Sequence, residues 1–117
     1  MLTAFALISS GCIAVVAGSA VGGTAFVLGD LEVDVDGSPK EVRSAIVAAG
    51  KDLKLRSISG TGDELNGLYI FRTAQDDKVT IKYEVISDSL VKLNIRVGNF
   101  GDESLSHRIN QAIQKHL

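Results

Sequence analysis

Val79-Thr80-Ile81-Lys82-Tyr83-Glu84-Val85-Ile86, then the pair Asp88-Ser89, then Leu90-Val91-Lys92-Leu93-Asn94-Ile95-Arg96-Val97: this stretch alternates apolar and polar side chains twice over. A period of two marks a strand with one dry and one wet face, so the spacing predicts two half-buried strands. Asp88-Ser89 supplies turn chemistry between them, which makes an antiparallel hairpin the economical connection. The dry sets are Val79, Ile81, Tyr83, Val85 and Val91, Leu93, Ile95, Val97. The wet face collects Lys82, Lys92 and Arg96, with Arg72 as a possible neighbour. Those cations form a candidate face for an anionic small molecule, a glycan or a lipid headgroup. A solvated sheet face is the ordinary meaning of such a set and carries more weight.

Working outward, Leu65 to Thr73 reads as a further strand, joined to the first by a turn at Asp76-Asp77. Before it come Leu55 to Ser59 and the polar turn Gly60-Thr61-Gly62-Asp63-Glu64. Asp30-Leu31-Glu32-Val33-Asp34-Val35-Asp36 alternates without a break and has a wholly acidic wet face. Glu32-x-Asp34-x-Asp36-Gly37 imitates the opening of an EF-hand, but Arg43 stands where the loop needs its bidentate acid, so calcium is not expected. Ser38-Pro39-Lys40-Glu41 is a capping box with proline at the first helical position. Val42, Ala45, Ile46, Ala49 and Leu53 continue it as one apolar helical stripe. A last helix carries Leu105, Ile109, Ala112 and Ile113, with Asp102 placed to cap it and Glu103 where the helix dipole favours negative charge. Between strand and helix, Gly98 and Gly101 permit backbone angles that other residues avoid, and Phe100 is expected to tuck against the core. The sum is an α+β, two-layer domain: a mostly antiparallel sheet of about five strands with two helices on one face, in the order β-α-β-β-β-β-α.

The first 29 residues are different in kind, with no Asp, Glu, Lys, Arg or His and the chain's one cysteine, Cys12. An apolar run, Leu2 to Ile8, precedes Ser9-Ser10-Gly11-Cys12, which looks like the lipobox of an exported lipoprotein. Residues 1–11 are then a signal peptide, Cys12 the lipidated first residue of the mature chain, and residues 12–29 a Gly/Ala-rich apolar segment. Two or three acyl chains give a stable anchor because each buried methylene contributes roughly 0.8 kcal/mol. No Lys or Arg precedes the run, which suggests a start upstream or a leader shortened at its beginning. The competing reading is an uncleaved membrane helix from Thr3 to Leu28, since about 20 residues cross the hydrocarbon core. Ala14, Gly18 and Gly22 would share one face of such a helix as a possible self-association row.

Residues 30–117 hold all 12 Lys and Arg and all 14 Asp and Glu, and suffice for one small domain. One cysteine permits no internal disulfide, and a net charge of -2 gives no nucleic-acid footprint. No arrangement marks a nucleophile with its base: His107 and His116 cannot share a metal, and Ser106 points away from His107. Gly18-x-x-x-x-Gly23-Thr24 lacks a phosphate-binding lysine. Neither enzyme activity nor a cofactor is expected.

Arg96-x-Gly98-x-x-Gly101-Asp102-Glu103-x-x-Ser106-x-x-Ile109 resembles the closing signature of a family of small bacterial envelope lipoproteins known as domain of unknown function 3568. The opening fits as well: a lipobox, a Gly/Ala-rich run, then Gly29-Asp30-Leu31-Glu32. The resemblance implies a lipid-anchored envelope protein and brings no catalytic residues. By likeness to lipoprotein sorting, Ile13 after the cysteine favours the outer membrane, facing the periplasm. A structural or accessory role through contact with an envelope protein or polymer is the expectation. The alternative is a binding module using Lys82, Lys92 and Arg96.

Overall fold

The computed structural model describes residues 23–117. Its elements are β1 (Gly23–Val27), β2 (Asp30–Asp36), α1 (Pro39–Asp52), β3 (Arg56–Gly62), β4 (Asn66–Arg72), β5 (Lys78–Ser87), β6 (Leu90–Val97) and α2 (Glu103–Lys115). The six strands form one antiparallel sheet in the order β1-β2-β6-β5-β4-β3. This is the expected α+β arrangement with one strand added at its start.

Alternation decides which side of the sheet is dry. Leu31, Val33 and Val35 of β2 meet Ile95, Leu93 and Val91 of β6, which in turn meet Ile81, Tyr83 and Val85 of β5. Onto this surface α1 lays Val42, Ala45, Ile46 and Ala49, and α2 lays Ile109 and Ile113, all buried. Each buried aliphatic of this size contributes about 1.5–3 kcal/mol, against under about 1 kcal/mol for an exposed ion pair. The dry face therefore sets the register, and the wet face follows from it.

The helix starts form as their sequences dictate. Ser38 Oγ accepts from the Glu41 N–H at 3.2 Å while Glu41 Oε1 accepts from the Ser38 N–H at 3.0 Å. Asp102 Oδ1 accepts from the Leu105 N–H at 3.0 Å at the head of α2.

Three features depart from expectation. The extra strand is β1, which pairs antiparallel with β2 and so belongs to the sheet rather than to a segment ahead of it. Its residues facing away from the helices, Ala25 and Val27, are uncharged, so no alternation announces it. Second, β3 continues through Gly60, Thr61 and Gly62, and the turn is shorter. A Cβ on Gly60 would lie 2.6 Å from the Tyr69 ring, so the glycine there admits the tyrosine rather than bending the chain. Third, Phe100 does not tuck against the core: it is 93% exposed. The turn from β6 into α2 closes over backbone instead of over an aromatic ring.

Candidate functional site

Among the described residues no helix covers the other side of the sheet, and the candidate cations lie there in register. Lys82 of β5 stands opposite Asn94 of β6, Thr80 opposite Arg96, and Glu84 opposite Lys92. On the other flank of β6, Asp30, Glu32 and Asp34 of β2 stand opposite Arg96, Asn94 and Lys92. The acidic row therefore lies against the basic one. Arg96 Nη1 is 3.0 Å from Asp30 Oδ1, and Lys92 Nζ is 3.8 Å from Glu32 Oε1. Lys82 pairs with no carboxylate among the described residues. Lys82 and Lys92 share a shallow groove of about 680 Å³ with Asn66, Asn94, Asp63 and Glu84, so its cations and anions balance. Arg96 is outside the groove, and the three cations do not form one site.

Arg96 has other work. Besides Asp30, its Nη1 donates to the Leu28 carbonyl at 2.9 Å, and its Nη2 donates to the Asn99 carbonyl. One guanidinium thus ties the β1–β2 turn to the loop leaving β6, which only a planar fork of donors can do. At that junction Gly29 and Gly101 have φ of +89° and +84°, and a Cβ on Gly101 would sit 2.5 Å from the Gly29 Cα and carbonyl oxygen. The two backbones touch because neither residue has a side chain. Gly98, with φ +71°, donates its N–H to the Lys78 carbonyl at 2.7 Å and starts the reversal that Asp102 ends. Ser106 is fully buried on α2, and its Oγ has no hydrogen-bond partner among the described residues. The signature Arg96-x-Gly98-x-x-Gly101-Asp102 is, in this geometry, a clasp.

What the clasp presents was not read from the sequence. Leu28 and Gly29 are the two loop residues of the β1–β2 hairpin, both with positive φ, a conformation that suits Asn-Gly. Leucine at φ +54° costs on the order of 1–2 kcal/mol of backbone strain, and this one is 90% exposed. Phe100 stands across the clasp. The Leu-Gly pair in a hairpin position was the available signal.

Two further ties hold the rest together. Arg43 of α1 donates to the Asp63 carbonyl at 2.7 Å and to the Tyr83 hydroxyl at 3.2 Å, and that hydroxyl donates to the same carbonyl at 2.7 Å. Asp63 Oδ1 accepts the Leu65 and Asn66 N–H groups, which hold its carboxyl below the usual range. His116 Nε2 lies 2.6 Å from Asp52 Oδ2 and joins the ends of the two helices; that bond lowers the Asp52 pKa. His107 lies apart, 3.7 Å from Glu103. Among the described residues no three His, Cys, Asp or Glu side chains converge as a metal site, and no helix is long and apolar enough to cross a membrane. Cys12, Ala14, Gly18 and Gly22 lie outside the described residues.

A small antiparallel sheet, backed by two helices and closed by a glycine-and-arginine clasp, defines the described residues as an α+β module. The chain belongs to the family described as protein of unknown function (DUF3568), which it matches over residues 1–116. Comparison with curated proteins gives no match.

Proposed function

We propose that the protein is a lipid-anchored component of the bacterial envelope, held through Cys12 at the outer membrane on its periplasmic side, with a structural or accessory role exerted through surface contact. The observation that supports contact over chemistry is the occupation of the signature residues: Arg96 is bonded to two backbone carbonyls and Asp30, and Gly101 is pressed against Gly29. The one charged side chain of the signature's start, Arg96, is thus engaged in holding the two loops together. The anchor rests on Ser9-Ser10-Gly11-Cys12 after an apolar run and on the uncharged stretch to Gly29. Intact-mass measurement of protein extracted from membranes tests it. The expected chain begins at Cys12 and exceeds the mass of residues 12–117 by two or three acyl chains, and Cys12→Ser abolishes the modification. A helix from Thr3 to Leu28 is ruled out at its end, because Gly23–Val27 is a strand paired with β2; a native protein that keeps Met1 and carries no lipid would favour an uncleaved membrane segment ahead of β1 instead.

The second reading, a module for an anionic small molecule or glycan, keeps one supporting observation: Lys82 and Lys92 share a groove with the amides of Asn66 and Asn94. Asp63 and Glu84 in the same groove balance that charge and make it a poor selector of anions.

A further inference from the structure

We propose that the corner carrying Leu28 and Phe100 seats in a lipid bilayer of neutral headgroups, giving the anchored domain a second point of attachment; the inference rests on the reading that Cys12 is lipidated. Leu28 and Phe100 are 90% and 93% exposed, the two most exposed of the large hydrophobic residues in the described structure. Neither side chain belongs to the core, and Leu28 holds a strained backbone conformation that asparagine or glycine would take more easily. Strain and exposure together at one residue point to a use outside the domain. The clasp makes the display rigid: Arg96 bonds the carbonyl of Leu28 itself and that of Asn99, next to Phe100.

What meets this corner follows from the chain leading to it. Met1 to Gly29 is without charge, and its last part is the edge strand β1, whose Val27 is also exposed. The uncharged stretch therefore runs from the anchor to Leu28 unbroken. Ten residues lie between Cys12 and Gly23, and eleven steps at roughly 3.3–3.6 Å keep the start of β1 within about 40 Å of the surface to which Cys12 is fixed. The adjoining charges are Asp30, paired with Arg96, the acidic Asp102 and Glu103, and Lys78, whose carbonyl Gly98 bonds. The formal balance is one negative charge, which disfavours an anionic surface and fits neutral headgroups better. A short apolar contact binds weakly alone but is effective for a domain already tethered beside its target.

The sequence contains no tryptophan, so one can be introduced as the sole indole reporter. Phe100→Trp and Leu28→Trp, with Ile58→Trp on β3 at the opposite sheet edge as reference, are prepared as full-length lipidated protein. Each is reconstituted into phosphatidylcholine vesicles with or without brominated acyl chains. Flotation with the vesicles is scored first; a chain that does not float overturns the anchor, and the inference falls with it. For protein that floats, the expected result is blue-shifted emission from position 100, lost on bromination, with position 28 following and position 58 unaffected. Quenching at position 100 no greater than at position 58 overturns the inference and leaves the anchor standing. A blue shift that grows with protein density and resists bromination also overturns it and assigns the corner to a second copy.

Discussion

An arginine bonded to two carbonyls and a carboxylate is held by the shape of its donors as well as by its charge. Arg96→Lys keeps the charge and loses the shape, since one ammonium cannot reach Leu28, Asp30 and Asn99 together. The expected cost is about 1.5–3 kcal/mol, the worth of one hydrogen bond to a charged group. Lys82→Met on the same sheet face should change stability by less than about 0.5 kcal/mol. Urea unfolding of the two variants makes the comparison. An Arg96→Lys protein as stable as its parent would mean that the fork does not hold the two loops, and would return Arg96 to the list of ligand-binding groups.

At the scale of elements, β1 carries the test. A fragment of residues 23–117 keeps its pairing with β2, the packing of Phe26 on the core, and Gly29 beneath Gly101. A fragment of residues 30–117 loses all three, so its melting temperature should be lower by several degrees. Equal melting temperatures for the two fragments, by circular dichroism, would show that β1 adds nothing to the domain. Much of this fold is legible in the sequence, because β2, β5 and β6 alternate in the way a half-buried strand must and both helices announce their caps. β1 is silent, because alternation is visible only where the outer face is polar and here it is Ala25 and Val27. The candidate site is legible in part. Lys82, Lys92 and Arg96 do share a face, but that β2 sets acids beside two of them depends on strand order, which the period of a sequence does not encode. Phe100 misleads for the converse reason: an aromatic between glycines normally finds a core, and here the backbone of Gly29 takes that place.

For the whole molecule, the decisive fact is that β2 lies between β1 and β6. The strands β3 to β6 are a meander of neighbours in sequence, whereas β2 must find a strand some sixty residues later, and the Arg96 bonds to Leu28 and Asp30 span 68 and 66 residues. Contacts that close long loops form late, because the entropy of closure is spent before they reward it. A growing chain therefore cannot complete its sheet until residues 90–97 exist to receive β2. In pulsed hydrogen exchange during refolding, amides of β5 and β6 should gain protection before those of β1 and β2; simultaneous protection would contradict that order. The lock thrown last is the same guanidinium that presents Leu28, so the corner takes its shape only once the final strand has arrived.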